Sequence, residues 1–319
     1  MKRTERQFVA RLQRQAEQHL PRAGRMLRLS QGIGDDCAVL SGSGRSDLLV
    51  TTDLFAENVH FRRRWQDPDS IGHKVLARGL SDIAAMGGTP RFAFLSLAMP
   101  QATADAWIAE FFRGLFLLAK AHGVALAGGD TSASASGLVA DIVVLGEVPR
   151  ATAVLRSGAH PGDEIWVSGQ LGGAAHALDG LRKGVRPRRA QSFERLFYPQ
   201  PRLRVGSVLR QRKLVSAMID LSDGLSIDLA RLCEASGAAA RIEQDAIPRA
   251  SHATLIQALH GGEDLELLFT VPPARSHGVP KAIGGVPLTR IGKIIPGRRL
   301  LLARGNRVHP LPVLGFQHF

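Results

Sequence analysis

The sequence predicts an α/β protein of the mixed α+β kind, built from two domains. Strand-like and helix-like segments occur in both halves, but strands and helices do not alternate regularly as they do in a parallel sheet. The pattern therefore predicts an α+β or mixed-sheet α/β protein and no finer class. The 319 residues are enough for two hydrophobic cores of ordinary size. Hydrophobic residues make up 45% and charged residues 22%, which is typical of a folded globular protein.

The first half begins with a helical pattern. Residues 1–28 carry apolar residues at helical spacing beside a basic face, which predicts an N-terminal helix. The same period predicts helices at 70–88 and 103–122, the second capped by Thr103 and ended by Gly123. Apolar, β-branched runs predict four strands in this half: 47–55, 92–99, 123–132 and 138–148.

A domain boundary is predicted near Pro149, where a strand-like run gives way to a loop-rich segment. The predicted domains are residues 1–149 and 150–319. Helical patterns in the second half fall at 172–183, 188–197, 202–212 and about 224–236. Strands are predicted at 164–169 and 266–272, with short strands and hairpins beyond 286.

Several classes of protein are excluded by composition. No apolar run approaches the roughly 18 residues that a membrane span requires, and the basic N-terminus has no apolar segment of the kind found in export signals. The two cysteines, Cys37 and Cys233, are far apart, which argues against a disulfide framework and for a reducing compartment. The expected location is the cytoplasm, without a membrane partner.

The formal net charge of +13 raises the question of nucleic-acid binding. The basic clusters are scattered, however, and the chain has one tyrosine, so no aromatic stacking platform is visible. A basic surface that attracts small phosphorylated anions fits the charge as well. We therefore expect no nucleic-acid partner.

Adjacent aspartates in GIGDDCAVL, residues 32–40, have two explanations. The spacing lacks the third glycine of a dinucleotide fingerprint. A solvated turn would favour Gly and Asp, and taken alone this motif favours the turn. A site for a hard cation such as Mg²⁺ would also use ionised carboxylates on a tight loop.

Recurrence favours the cation site. Aspartate stands beside glycine or a small hydroxyl residue in six motifs: GDD (34–36), TTD (51–53), LSD (80–82), GGD (128–130), DLSDG (220–224) and GGED (261–264). Several follow strand-like runs directly, which predicts a shared magnesium and polyphosphate site. Isolated cysteines and unpaired histidines argue against zinc. The P-loop and protein-kinase motifs are absent, so nucleotide chemistry would need another scaffold.

Seven segments together resemble the thiamine-monophosphate kinase family in order and spacing: GIGDDCAVL, TTDLFAENVHF, LARGLSDIAAMGG, AGGDTS, LRSGAHPGDEIWVSG, IDLSDGLSIDL and GGEDLELLFTVP. The resemblance runs from about residue 30 to the C-terminal GFQHF. It implies a two-domain PurM-like (aminoimidazole ribonucleotide synthetase-like) fold, with N-terminal sheets pairing in a homodimer. It also implies transfer of the γ-phosphate of ATP to thiamine monophosphate, giving thiamine diphosphate.

The resemblance also implies roles for individual residues. The implied ligands of several magnesium ions are Asp36, Thr51, Thr52, Asp53, Asp82, Asp130, Asp220 and Asp223. The implied ATP contacts are Gly129, Asp130, Arg156 and Ser222, and the implied thiamine contacts are His60, Glu263 and Phe316. Three positions depart from the family pattern, namely Gly79, Leu265 and Phe316. The acceptor phosphate is already ionised, so no general base is assigned.

Each residue also has an ordinary structural explanation. Asp82 shares a helical face with Lys74 and Arg78, so an i,i+4 ion pair with Arg78 would account for it. Asp220 and Asp223 could cap the following helix.

The other site residues have similar alternatives. Arg156 could be a surface arginine, His60 a core or surface histidine, and Phe316 terminal packing. The alternative functions are another PurM-like ATP-using enzyme, or a non-catalytic protein that binds nucleotide or nucleic acid.

Overall fold

The computed structural model describes residues 5–18, 27–185 and 191–318. The helices are α1 (Glu5–Gln18), α2 (Pro68–Ala85), α3 (Asp105–His122), α4 (Gly173–Arg182), α5 (Gln191–Phe197), α6 (Leu203–Gln211), α7 (Leu225–Ala235) and α8 (Leu255–His260). None of the helices in the described ranges has the length and apolar character needed to cross a membrane.

Fourteen strands occur in the described part of the chain. Those of the first half are β1 (Leu27–Gln31), β2 (Ala38–Gly42), β3 (Ser46–Ala56), β4 (Thr89–Met99), β5 (Ala125–Ala133) and β6 (Val139–Pro149). Those of the second half are β7 (Glu164–Ser168), β8 (Ala217–Leu221), β9 (Ala239–Glu243), β10 (Glu266–Val271), β11 (Ala282–Ile283), β12 (Val286–Ile295), β13 (Leu300–Arg304) and β14 (Arg307–Pro310).

The strands form two mixed sheets, one in each half. The first has the order β1-β2-β3-β6-β4-β5 and is antiparallel except for the β4–β5 pair. The second has the order β14-β13-β9-β12-β7-β10-β8, with β11 paired to β12, and only β13 and β9 run parallel. The predicted class, in which strands and helices mix without regular alternation, is therefore confirmed.

Helix α2 lies between the two halves and is buried along most of its length. Pro68 at the start of the helix has the backbone angle that a first turn needs and lacks an N–H that would be left unpaired there. Apolar side chains of the helix, such as Leu80, belong to one core cluster that also contains Val144 of the first sheet and Leu267 of the second. Polar side chains on α2 are therefore held rigidly near elements of both halves.

Close packing of α3 on α2 depends on Gly114. A methyl group at this position would lie 1.8 Å from the carbonyl oxygen of Asp69, so only glycine allows the two backbones to approach. This contact fixes the start of α2.

Several predicted boundaries are wrong. The helix predicted over 1–28 is described over Glu5–Gln18, and residues 1–4 and 19–26 lie outside the described residues. Residues 27–28 belong to strand β1 and not to the helix. Helix α3 begins at Asp105 with Ala104 as its N-cap residue, so Thr103 does not cap it. The backbone N–H of Thr103 instead donates to the carbonyl of Pro100 and closes a turn. Gly123 ends the helix as predicted, in the left-handed conformation that glycine favours.

One prediction in the second half is tested only in part, and another differs from the structure. Helix α5 covers Gln191–Phe197, and residues 188–190 of the predicted helix lie outside the described residues. Beyond residue 286 the structure has a ten-residue strand, β12, where short strands were predicted. A register shift between Arg290 and Gly292 lets this strand continue across β7.

Candidate active site

Helix α2 presents three charged residues at helical spacing, Lys74, Arg78 and Asp82. An interval of four residues returns to nearly the same side of a helix, so these side chains form one polar row. Strand β3 faces this row with every second residue, because side chains alternate between the two faces of a strand. Thr51, Asp53 and Phe55 are consequently on the inner face of the first sheet.

A cluster of three carboxylates lies at the C-terminal end of the row. One oxygen from each of Asp36, Asp82 and Asp220 lies within 4.8 Å of the others. Hydroxyl groups orient two of these carboxylates: Thr51 Oγ1 donates to Asp82, and Ser81 Oγ donates to Asp220 Oδ2 at 2.8 Å. We call Asp36, Asp82 and Asp220 the carboxylate cluster.

Burial and mutual repulsion disfavour negative charge in the carboxylate cluster. The pKa of Asp82 is raised well above its ordinary value by burial and then by the nearby Asp220 carboxylate. The pKa of Asp220 is raised by burial and by Asp36. Asp36 Oδ2 is buried and accepts no hydrogen bond from the residues that the structure describes. An unsatisfied buried oxygen among crowded carboxylates fits a hard cation such as Mg²⁺, which prefers oxygen ligands.

Arg156 is the cation on the other side of Asp36. Its Nη2 donates to Asp36 Oδ1 at 2.5 Å, while its backbone N–H donates to Asp35 Oδ2 at 3.1 Å. Burial, followed by the neighbouring Asp36 charge, raises the pKa of Asp35 to about 6. Arg156 is thus part of the site and not an isolated surface arginine, and its Nε is buried without a partner among the described residues.

Two ion pairs extend the site along α2. Arg78 donates from Nε and Nη2 to the two oxygens of Asp53, each at 2.9 Å. Lys74 Nζ donates to Glu263 Oε1 at 2.9 Å and is almost completely buried. No ion pair joins Arg78 to Asp82 within the described ranges. The i,i+4 pair considered from the sequence is therefore not what holds Asp82.

Thr52 and Asp130 lie apart from the carboxylate cluster, on the outer face of the first sheet. Thr52 is exposed and donates to Asp141 Oδ1 at 2.7 Å. Asp130 is exposed on the edge strand β5, beside Ser96 of β4, and accepts from the backbone of Thr131. The strand period places Thr51 and Thr52 on opposite faces, so the structure divides the predicted magnesium ligands into an inner and an outer group.

Gly129 shapes the edge of the sheet next to Asp130. Its φ is +152°, and a methyl group there would lie 1.8 Å from the carbonyl oxygen of Leu95. The backbones of β4 and β5 therefore approach more closely than a side chain allows. This fixes the position of the GGD motif.

Asp223 and Ser222 lie at the turn before α7. Asp223 accepts from Arg231 at 2.6 Å, and the Ser222 carbonyl accepts from the backbone N–H of Glu263 at 2.8 Å. Gly224 is the N-cap of α7, and the helix has no side-chain cap, so neither Asp220 nor Asp223 caps it. Asp228 Oδ2 instead accepts from the backbone N–H groups of Asp223 and Gly224, just before the helix.

The predicted thiamine contacts His60 and Phe316 meet at the opposite end of the α2 row. The ring of His60 stacks on Phe55, with centroids 5.4 Å apart, and lies 6.0 Å from Phe316. Phe316 is 40% exposed and is held by a backbone hydrogen bond to Asp223. His60 Nδ1 accepts from the Ala56 N–H, and its Nε2 is buried without a partner among the described residues.

His60 is neutral at physiological pH. Burial, followed by the charge of Arg78, lowers the pKa of His60 to about 4, against an opposing effect of Glu263. A neutral ring does not repel a cationic heterocycle, whereas a protonated one would. The aromatic surface and the Glu263 carboxylate together suit a flat, positively charged ring.

The stability of the protein should depend on pH through His60. In the unfolded state the His60 ring takes up a proton near pH 6.5, whereas in the folded state it does so only near pH 4. The contribution of neutral His60 to the free energy of unfolding is therefore complete above pH 6.5 and is lost as the pH falls towards 4. We expect His60→Gln to lose less unfolding free energy than the wild type between pH 7 and pH 5 in denaturant titrations. His277→Gln, at an exposed histidine, is the control. Equal losses in the wild type and His60→Gln would contradict this expectation.

Sequence reasoning assigned no role in the site to several residues that the structure places in or beside the predicted site residues: Lys74, Arg78, Ser81, Asp141, Asp228 and Arg231. Asp35 was considered only as part of the GDD motif, and it accepts from the backbone of Arg156. The four-residue interval of Lys74, Arg78 and Asp82 was a usable signal for the α2 row. No sequence signal pointed to Asp141, because its contact to Thr52 joins strands that are 89 residues apart.

Two family models match successive parts of the chain. "AIR synthase related protein, N-terminal domain" matches residues 34–148, and "AIR synthase related protein, C-terminal domain" matches residues 160–303. The two sheets and the oxygen-rich site between them therefore define a protein of the AIR synthase-related, PurM-like class.

Individual relatives narrow the class. Thiamine-monophosphate kinase of Salmonella typhimurium is 38% identical over 84% of this chain and 85% of its own length. That of Bacillus subtilis is 34% identical over 90% of this chain and 93% of its own length. The solved structure "AaThiL complexed with AMPPCP and TMP" has a TM-score of 0.84 at 26% identity and covers 100% of this chain and 99% of its own. The chain belongs to the thiamine-monophosphate kinase family, and the predicted fold class and family resemblance are confirmed.

Proposed function

We propose that this protein transfers the γ-phosphate of ATP to thiamine monophosphate, producing thiamine diphosphate. The observation that carries the proposal is the α2 row, which has the carboxylate cluster at one end and the His60–Glu263 region at the other. A substrate with a phosphate at one end and a cationic heterocycle at the other matches this arrangement. The solved relative AaThiL, complexed with AMPPCP and TMP, supports the same pair of substrates.

The chain's own residues bind and orient both substrates. Arg156, beside the carboxylate cluster, is suited to the polyphosphate because its guanidinium is a permanent, forked donor. Gly129, Asp130 and Ser222 are further proposed ATP contacts. Glu263, His60 and Phe316 are proposed to hold the thiamine moiety. The acceptor phosphate is ionised at neutral pH and needs no general base.

Asp36, Asp82 and Asp220 are the residues proposed to hold Mg²⁺ on the inner face, with Thr51 orienting Asp82. A bound Mg²⁺ supplies neutralisation of charge between two phosphate groups that otherwise repel each other. Asp53, Thr52, Asp130 and Asp223 are proposed as further ligands of several ions, each through a carboxylate or hydroxyl oxygen.

The test of the function is product analysis. Purified protein, ATP and thiamine monophosphate are incubated with Mg²⁺ or with EDTA, and thiamine diphosphate is measured by chromatography. We expect thiamine diphosphate with Mg²⁺ and none with EDTA. ATP hydrolysis without thiamine diphosphate would refute the proposal, as would tight, salt-resistant binding of nucleic acid without turnover.

We also propose a homodimer formed through the outer face of the first sheet. This face exposes three large apolar side chains, Leu54, Phe92 and Phe94, at 56%, 49% and 37%. Large apolar side chains grouped on one exposed face are typical of surfaces that bind another protein. A monomer in light scattering at micromolar concentration would contradict the proposal. The proposed domains are residues 1–149, carrying this face, and 150–319, and the proposed location is the cytoplasm.

A further inference from the structure

Arg78 lies at the middle of the α2 row, between the carboxylate cluster and the thiamine region. Its Nε and Nη2 are each 2.9 Å from Asp53, and its Nη1 is 3.9 Å from Glu263 Oε1. Its side chain is 17% exposed and so is not fully enclosed by the protein. The contact with Asp53 gives one reason for Arg78, but it uses only two of the three guanidinium nitrogens.

The third nitrogen, Nη1, has donors to spare. The distance to Glu263 is too long for a hydrogen bond, and Nη1 makes none with any residue in the part of the chain that the structure describes. An arginine has five N–H donors in a fixed fork, and such forks match the oxygens of phosphate groups. The unused donors of Nη1 therefore suit an anionic ligand.

Phe55 lies between Arg78 and the proposed thiamine contacts. The guanidinium carbon of Arg78 is 5.7 Å from the centre of the Phe55 ring, and the same ring stacks on His60. Lys74 Nζ, which pairs with Glu263, is 5.6 Å from the centre of the same ring. The aromatic region and the Arg78 cation are thus neighbours around one side chain.

The charges distinguish the two ends of the acceptor. The thiazolium ring is a cation and is repelled by Arg78, whereas the monoester phosphate carries about −1.5 to −2 and is attracted. With the ring held by His60 and Glu263, the phosphate is the group left to approach Nη1. We infer that Arg78 binds the phosphate of the acceptor and selects a phosphomonoester over the unphosphorylated alcohol. This inference rests on the proposed function.

Direct binding separates this role from a structural one. Thiamine monophosphate and free thiamine are titrated calorimetrically into the protein without nucleotide, in EDTA and again in Mg²⁺. We expect Arg78→Met to weaken binding of thiamine monophosphate by about tenfold to a hundredfold, the range for loss of a charged hydrogen bond, and to leave thiamine binding within about twofold. Arg78→Lys should fall between the two, because it keeps the charge without the fork.

Two controls accompany the titrations. Arg91→Met removes an exposed arginine that pairs with Glu147, and it should leave the affinity for both thiamine monophosphate and thiamine unchanged. Arg78→Met leaves Asp53 without its counter-charge, so the double variant Asp53→Asn/Arg78→Met removes both charges together. In EDTA, where the proposed role of Asp53 as a magnesium ligand does not enter, it is expected to show the same selective loss. Melting curves in EDTA establish that each variant is folded.

The results distinguish the role of Arg78 from the function itself. Equal weakening of both ligands in Arg78→Met and in the double variant, or no weakening of either, would overturn the phosphate role while the wild type still forms thiamine diphosphate. A wild type that neither binds thiamine monophosphate nor forms product would refute the proposed function, and the role of Arg78 with it. A selective loss of thiamine monophosphate binding supports the inference.

Discussion

Replacing Asp82 by asparagine is expected to lower phosphoryl transfer by on the order of 1000-fold while leaving the fold intact. Asp82 is partly buried, lies close to Asp36 and Asp220, and accepts a hydrogen bond from Thr51. Asparagine has nearly the same shape but offers one neutral oxygen. Cations at a phosphoryl-transfer site supply several kcal/mol of charge stabilisation, and a loss of about 4 kcal/mol corresponds to about three powers of ten in rate.

The same substitution gives a readout that does not depend on activity. In EDTA the variant should melt at a temperature no lower than the wild type, because removing one of three crowded carboxylates relieves repulsion. Calorimetric Mg²⁺ binding to the nucleotide-free protein should weaken in parallel. Asp245→Asn, at an exposed aspartate, is the matched control. Near-normal activity of Asp82→Asn would remove Asp82 from the proposed site.

Free thiamine is expected to be phosphorylated at least about a hundredfold more slowly than thiamine monophosphate. Its hydroxyl is neutral and ends one phosphate group short of the position that the acceptor oxygen would occupy. Misplacement of a reacting group by about 1 Å can cost on the order of a hundredfold, and the shortfall here is larger. Arg78, on the inferred assignment, would also have no anion to bind.

Equal concentrations of the two acceptors provide the measurement. Each is incubated with ATP and Mg²⁺, and the thiamine phosphates are separated and quantified against a control without acceptor. Thiamine monophosphate formed from thiamine at a rate comparable to thiamine diphosphate formation would contradict the proposed orientation of the acceptor. It would leave the family membership of the chain unaffected.

Much of the local structure was predictable from the sequence. The apolar period of α2, the position of Gly123 after α3 and the strands on either side of residue 149 depend on interactions between residues close in the chain. The boundary errors at Thr103 and residues 27–28 are of the kind that local patterns leave open, because a cap or a strand start is decided by where the chain must turn next.

The sequence by itself also indicated the chemistry that is proposed for the site. Six aspartate motifs beside glycine or hydroxyl residues indicated oxygen ligands and phosphate, and their order indicated the family. It could not determine which aspartates meet. Asp36, Asp82 and Asp220 come from a loop, a helix and a strand separated by long stretches of chain, and only the packing of α2 between the two sheets brings their oxygens within 4.8 Å.

Tertiary structure alone decided the partners of the charged groups. From the sequence Arg78 could pair with Asp82 four residues away, yet it pairs with Asp53 on a neighbouring strand. Thr51 and Thr52 are adjacent in sequence but point to opposite faces, because a strand alternates and only the docked helix decides which face is inner. Spacing along the chain fixes which side chains share a face, whereas long-range packing fixes what that face meets.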